Sequence, residues 1–72
     1  MDLNRRQRDF LAEHYRKDPE AEVRRRCHIV MLLDDGLSRR RIQQVTHTSA
    51  DEVKECIGRF RAGGVEGLLG GG

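Results

Sequence analysis

Residues 38–60 read SRRRIQQVTHTSADEVKECIGRF and contain the start signals of two helices. Ser38 is a good N-cap, because its hydroxyl can accept from a backbone N–H of the first turn, and it predicts a short helix over about 39–45. Ser49 is followed three residues later by glutamate. This is the S-x-x-E capping box, and it predicts a longer helix over about 50–62.

The apolar residues of these two helices fall on one side of each helix. Ile42 and Val45 are expected to anchor the short helix. Val53, Ile57 and Phe60 recur at i, i+4 and i+7, which places them on one buried stripe of the longer helix. The other positions are mostly charged or polar, so the opposite face of each helix is expected to meet solvent.

A first helix is predicted near the start of the chain, over about 5–16, with Asn4 as its N-cap. Its apolar positions, Phe10, Leu11 and Tyr15, form a narrow stripe. We therefore expect this helix to pack one side against a neighbour.

The second helix is predicted over about 20–35 and is the most apolar of the chain. Asp18 as N-cap with Pro19 at the first helical position is a start signal, and Gly36 is expected to end the helix in a left-handed conformation. The residues expected to face the core or to widen the apolar surface are Val23, Cys27, Ile29, Val30, Met31, Leu32 and Leu33. This helix should therefore lie at the centre of the domain.

The C-terminal segment is rich in glycine. Gly63 and Gly64 are expected to close the last helix, residues 65–69 to pack back as a short turn, and residues 70–72 to form a flexible tail. No segment alternates in polarity with a period of two over the length of a strand. The sequence thus predicts a single all-α domain over residues 1–69.

Composition limits the function of this chain. Hydrophobic and charged residues each make up 36% of the 72 residues, with only one Tyr and two Phe. A chain of this length closes a small core but no deep substrate cavity, so no enzyme is expected. The apolar runs are far shorter than the roughly 18 residues of a membrane span, and the first residues are polar rather than a signal core.

The two cysteines, Cys27 and Cys56, lie 29 positions apart without a C-x-x-C spacing. His28 adjoins Cys27, but neighbouring residues on a helix point in different directions. We expect two buried thiols that act as small apolar side chains. No metal ligand set and no cofactor site are predicted.

The order of the elements predicts a small trihelical bundle with an additional N-terminal helix. The helix over 39–45, the connection Thr46–Thr48 and the capped helix after it follow a buried helix, which is the helix-turn-helix arrangement of homeodomain-like folds. Ile42, Val53 and Cys56 would hold the last two helices roughly perpendicular, so that the outer one stands clear of the protein. Such a helix fits the major groove of DNA, which is about 12 Å wide.

A more specific resemblance begins at Arg24. Residues 24–38 read RRRCHIVMLLDDGLS, which is similar to the R-x-R-x-I-L-L-L-x-x-G-L-S pattern of mariner-like insertion-sequence transposases. The similarity continues to Leu69, and residues 64–68 (GVEGL) resemble the G-x-x-G-L of that family. The resemblance implies a homeodomain-like, paired-domain-like unit that recognises the terminal repeats of the transposon in double-stranded DNA. The family's catalytic acidic triad does not fall in this region, so the resemblance implies no catalysis.

The sequence departs from the family pattern at several positions. His47 occupies a turn position that the family usually gives to Gly, so this residue needs either a positive φ, at some strain, or a different turn. Cys56 stands at the usual Trp position and supplies less core volume. The outer helix begins with Ala50, Asp51 and Glu52, where the family tends to have Arg. For Glu52 we favour closure of the capping box over contact with DNA.

The basic residues are unevenly distributed. Arginine supplies 12 of the 14 basic residues, in clusters over 5–8, 24–26 and 39–41, while the formal net charge is only +2. Guanidinium groups suit phosphate oxygens and guanine edges. Arginines at the start of a helix oppose its dipole, which favours an external anion as the purpose of the third cluster. The residues predicted to contact DNA are Arg39, Arg40, Thr48, Ser49, Ala50, Asp51, Lys54, Glu55 and Arg59.

The predicted roles of these residues differ. Arg39 and Arg40 contact phosphates, Lys54 meets base edges, and Arg59 clamps the DNA backbone. Asp51 and Glu55 would face the groove, where a carboxylate is repelled by phosphate but can accept from cytosine N4.

Two alternatives stay open from the sequence. The same scaffold can serve as a protein-interaction module, with its acidic outer helix meeting a basic partner or a second copy of the chain in a homodimer. The cluster over 5–8 either forms a minor-groove arm or only keeps the first helix in solution. Double-stranded DNA is the partner the sequence favours, with no membrane and with a cytoplasmic location, at the nucleoid when DNA is bound.

Overall fold

The computed structural model describes residues 2–70. These residues form four α-helices and no strand, as the sequence predicted. The elements are α1 (Arg5–Lys17), α2 (Ala21–Asp34), α3 (Arg39–Thr46), α4 (Ala50–Gly63) and a C-terminal 3-10 helix (Gly64–Leu68). Each α-helix begins and ends within one residue of its expected position, because local capping and glycine signals mark most of the boundaries.

The central helix is α2, which contacts all four other elements. α1 lies along it, α3 and α4 pack against it and against each other, and the 3-10 helix covers the end of the core. The buried core residues are Leu11, Val23, Cys27, Ile29, Val30, Met31, Ile42, Val53, Cys56, Ile57 and Leu68. The expectation that the most apolar helix lies at the centre is confirmed.

The short segment after α4 packs back onto the core, as expected. Leu68 is fully buried at the end of the 3-10 helix. A Cβ on Gly67 would lie 2.5 Å from the carbonyl oxygen of Arg59, so only glycine permits this close approach. Of the expected flexible tail, Gly70 is described, and residues 71–72 lie outside the described residues.

Serine and asparagine caps begin three of the helices. The Ser38 hydroxyl accepts from the backbone N–H of Arg41 at 3.2 Å. Ser49 caps α4 in the same way, but the predicted reciprocal bond from Glu52 is not formed. The Glu52 carboxylate instead lies 3.9 Å from Arg25 on α2, because a partner of opposite charge faces it there. The complete capping box of the chain is at the start of α1, where Asn4 and Gln7 bond each other's backbone.

The predicted N-cap of α2 is wrong by two residues. α2 begins at Ala21 with Glu20 at the N-cap, so Pro19 lies outside the helix. Asp18 caps the C-terminus of α1 instead, and its carboxylate accepts from the backbone N–H of Glu20 at 2.9 Å and pairs with His14 Nδ1 at 2.9 Å. The carboxylate is thus used by the turn between the helices, and these contacts lower the pKa of Asp18.

Three residues expected in the buried stripes are more exposed than predicted. Val45 is 41% exposed, because the eight-residue α3 buries only the side around Ile42. Tyr15 is 40% exposed and lies against the imidazole of His28, with 4.7 Å between ring centroids. Phe60 packs on the edge of the core and is only partly buried. The apolar faces of the small helices are therefore narrower than their sequence spacing suggests.

The connection between α3 and α4 adopts the first of the two expected conformations, the one with a positive φ at His47. His47 has φ 56° and ψ 43°, in the left-handed region, and its N–H donates to the carbonyl of Gln43. This turn is thus made without glycine, at some cost in backbone strain. Gly36, with φ 92°, ends α2 as expected.

None of the helices within residues 2–70 has both the length and the apolar character that crossing a bilayer requires.

Candidate nucleic-acid interface

Some basic side chains have a partner of opposite charge within residues 2–70, and others have none. The ones that pair with carboxylates are Arg5, Arg8, Arg16, Lys17, Arg25, Arg26 and Arg59. Arg24 donates instead to the backbone carbonyl of Asp18. Within residues 2–70, the basic side chains that contact neither a carboxylate nor a backbone carbonyl are Arg6, Arg39, Arg40, Arg41, Lys54 and Arg61. These free cations are concentrated on α3 and α4.

Arg39, Arg40 and Arg41 form the first turn of α3 and are all exposed. Arg41 donates to the side-chain oxygen of Gln44 at 3.3 Å. No acidic residue lies in this first turn, although the positive end of the helix dipole favours carboxylates there. Three guanidinium groups therefore lie at a helix end that disfavours cations, without a neutralising partner in the described part of the chain.

The turn after α3 supplies two hydroxyl groups, and both take part in local structure. Thr48 Oγ1 lies 2.7 Å from Thr46 Oγ1, which itself donates to the carbonyl of Ile42. Ser49 Oγ accepts from the N–H of Glu52, but its own O–H proton is not used in that bond. Ser49 is exposed and Thr48 is half-buried.

The predicted contact residues of α4 lie together on its outer face. Ala50, Asp51, Lys54 and Glu55 are all exposed, while Val53 of the same helix faces the core. The sequence spacing thus correctly separated the two faces of α4. The first turn of this face carries the carboxylate of Asp51, and the cations Lys54 and Arg61 follow later in the helix.

Arg59 does not have the free position that the prediction requires. Its Nη1 donates to the carbonyl oxygens of Gly67 at 3.5 Å and Gly70 at 3.2 Å, and its Nε lies 3.5 Å from Glu55. The side chain is only 24% exposed. Arg59 thus holds the C-terminal segment against α4, because that segment folds back beside it and offers unpaired carbonyls.

The 24–26 cluster is also built into the fold. Arg26 is 13% exposed, and its Nη1 donates to the carbonyls of Leu68 at 3.2 Å and Gly70 at 3.0 Å. Its Nη2 reaches Glu22 at 3.4 Å. Arg26 and Arg59 therefore converge on the carbonyl of Gly70, and each also bonds a second carbonyl of the same segment. Sequence reasoning missed this arrangement, because its acceptors are backbone atoms that become neighbours only after folding.

In the N-terminal cluster, Arg8 has a structural role. Its guanidinium donates to Asp34 at 2.8 Å, to Asp35 at 2.9 Å and to the carbonyl of Met31 at 3.2 Å. These bonds raise the pKa of Arg8, with Asp35 the largest contribution. The pKa of Asp34 is lowered, first by the backbone N–H of Leu3 and then by Arg8. Arg8 thus ties α1 to the C-terminus of α2 and is not available for a minor-groove arm.

Both cysteines are buried, as predicted. Burial raises the pKa of Cys27 to about 11 and that of Cys56 to about 12. The Cys56 thiol donates to the carbonyl of Arg26 at 3.4 Å. Thiols with such pKa values stay protonated near neutral pH, so neither residue is an activated nucleophile.

A shallow groove runs between α2 and α4. It is lined by Glu22, Arg25, Arg26, Ile29, Glu52, Glu55 and Cys56. Its lining carries three glutamates and two arginines, and each glutamate pairs with an arginine, Glu55 with Arg59 beside the groove. Residues 2–70 contain no cluster of three or more His, Cys, Asp or Glu side chains suited to hold a metal ion.

Comparisons with known proteins found no matching family model and no significant match among curated proteins or solved structures.

Proposed function

We propose that the chain binds double-stranded DNA through α3, the three-residue connection and α4, which together act as a helix-turn-helix unit. The observation that carries the proposal is the first turn of α3. Arg39, Arg40 and Arg41 are exposed, without carboxylate partners within residues 2–70, and placed where the helix dipole opposes them. A polyanion such as the phosphate backbone of DNA supplies the missing negative charge.

In this proposal α4 is the recognition helix. Its inner face is fixed to α2 through Val53, Cys56 and Ile57, so its outer face is held in a defined orientation. That face presents Asp51 and Lys54 to the major groove, while the arginines of α3 contact the flanking phosphates. The resemblance of residues 24–69 to the DNA-binding region of mariner-like transposases supports the same function, whether in a transposase or in a small regulator.

A titration against DNA tests the proposal. Fluorescence anisotropy with a labelled random-sequence duplex should show binding that weakens by orders of magnitude between about 50 and 200 mM salt, if six or more phosphates are neutralised. Absence of binding at the lower salt concentration would contradict the proposal. The remaining function for this scaffold would then be protein interaction through the acidic turn of α4.

Two substitutions on the outer face of α4 sharpen the test. Lys54→Ala should weaken binding, since Lys54 is the basic residue at the centre of that face. Asp51→Ala should strengthen binding to random duplex by relieving repulsion from phosphate. If Asp51 accepts from a cytosine, its loss should cost about 1–3 kcal/mol on the cognate site and relax specificity there. Equal affinities of both variants and the wild-type protein would show that α4 is not the recognition helix.

A further inference from the structure

Gly58 lies in the middle of α4, at an exposed position where the fold does not require glycine. A Cβ built there would meet no atom within 4 Å, and the residue has no positive φ. In contrast, Gly36 and Gly64 have positive φ values, and Gly67 meets a backbone carbonyl. Glycine is among the poorest helix formers, so Gly58 weakens α4 without a compensating contact inside the molecule.

The neighbours of Gly58 on the helix surface are cations. Lys54 lies one turn before it and Arg61 one turn after it, so the three residues share a face at i, i+4 and i+7. Both cations are exposed and free of ion pairs within residues 2–70. They are about 10 Å apart along the helix axis, given a rise of 1.5 Å per residue.

The remaining neighbours leave this position open. Glu55, one turn before Gly58, is drawn toward Arg59, whose Nε lies 3.5 Å from its carboxylate. Ala62, one turn after, is small and exposed. The surface around Gly58 is therefore a stretch of bare helix backbone with a free cation on either side.

We propose that the sugar–phosphate backbone of one DNA strand crosses α4 at Gly58, between Lys54 and Arg61. The inference rests on the proposed function, adds the point of closest approach between the helix and the strand, and assigns Lys54 to a phosphate instead of a base edge. A Cβ at this point would hold the strand about 1.5 Å further away, the length of a carbon–carbon bond. The two cations would then lie further from the phosphates that they neutralise. The free carboxylate of this face, Asp51, lies two turns before Gly58, whereas both free groups within one turn of it are positive. Charge at Gly58 therefore favours a phosphodiester over a protein surface.

The decisive variant is Gly58→Ala, because its effects on folding and on binding should have opposite signs. Alanine fits the helix without a clash, so thermal unfolding followed by circular dichroism should shift upward by up to about 4–8 °C. Affinity for a fluorescein-labelled random 20-base-pair duplex should fall by on the order of tenfold near 0.1 M salt, the size of one lost phosphate contact.

Gly63→Ala is the matched control. Gly63 also lies on α4, is exposed, has φ −131° and has no atom within 4 Å of a built Cβ. A Cβ there points to a different side of the helix. This variant should bind the duplex as the wild-type protein does. Lys54→Ala and Arg61→Ala should each reduce the slope of log affinity against log salt by about one.

Two results would overturn the inference while leaving the proposed function intact. One is a Gly58→Ala variant that binds the duplex as tightly as the wild-type protein. The other is a Gly58→Ala variant with a lower thermal midpoint, which would give this glycine a role in folding. If the wild-type protein itself does not bind the duplex, the proposed function and the inference fail together.

Discussion

The tripeptide Arg-Arg-Arg occurs twice in this chain, and the two copies have opposite surroundings. In residues 24–26, on α2, each arginine has a partner inside the molecule. In residues 39–41, on α3, no arginine reaches a carboxylate in the described part of the chain, and all three are exposed. The same tripeptide thus supplies structural contacts on α2, where Arg24 and Arg26 bond backbone carbonyls, and a free basic surface on α3.

The difference follows from where each tripeptide lies in the fold. α2 is surrounded by the other elements, so its arginines meet the carbonyls of Asp18, Leu68 and Gly70. The first turn of α3 lies at the edge of the molecule and begins directly after an exposed cap. The number of arginines therefore overstates the basic surface available to an anion. The position of each arginine in the fold determines whether its guanidinium can bind one.

The largest effect on folding is expected at Arg26. Arg26→Ala removes the donor to two carbonyls next to the buried Leu68, so the free energy of unfolding should fall by about 1.5–3 kcal/mol. Chemical denaturation monitored by circular dichroism measures this change. Arg40→Ala is the matched control from the other tripeptide, and its effect should stay within about 0.5 kcal/mol. Equal losses in both variants would remove the distinction between the two tripeptides.

Acid should weaken the hydrogen bonds and ion pairs of Asp18 and Asp34, whose pKa values are lowered by those contacts. A carboxyl group whose pKa is lower in the folded state stabilises the fold above its unfolded pKa, near 3.9, and this stability is lost as the pH falls through the folded value. Asp34→Asn should therefore be less stable than the wild-type protein at neutral pH. It should also lose less stability between about pH 4 and pH 2. Denaturation curves recorded across this range test the effect, and parallel losses in the two proteins would contradict it.

The smallest effect is expected at Arg39. Its charge lies at the positive end of the α3 dipole, so Arg39→Gln should raise the free energy of unfolding by about 0.3 kcal/mol. Thermal unfolding in low salt, where the dipole effect is least screened, is the suitable measurement. A clear destabilisation would reveal an internal partner for Arg39 and would make the two tripeptides alike.

The fold was predictable because its signals are local. Asn4, Ser38 and Ser49 act as caps where the sequence placed them, and Gly36 and Gly64 end α2 and α4. For His47 the sequence left a positive φ or a different turn open, and the positive φ is the one observed. The failures arose where two local signals competed. Asp18 resembled an N-cap, but its carboxylate bonds the turn that precedes α2.

The candidate site was predictable only in part. The exposed face of α4, with Asp51 and Lys54, follows from helical spacing alone. The position of Arg59 does not, because its partners are carbonyls of a segment whose return onto α4 depends on the whole fold. Val45 was assigned to the core by its chemistry, yet α3 is too short to bury more than one side.

The proposed binding to DNA depends on the position of the arginines and not on the net charge. The most direct test compares two triple variants that lose the same charge. One changes Arg39, Arg40 and Arg41 to Gln, and the other changes the exposed residues Arg16, Lys17 and Arg25 to Gln. In anisotropy titrations with a random duplex at several salt concentrations, the first variant should lower the slope of log affinity against log salt by about three. The second should leave it nearly unchanged. Equal losses in both variants, or no loss in the first, would contradict the claim.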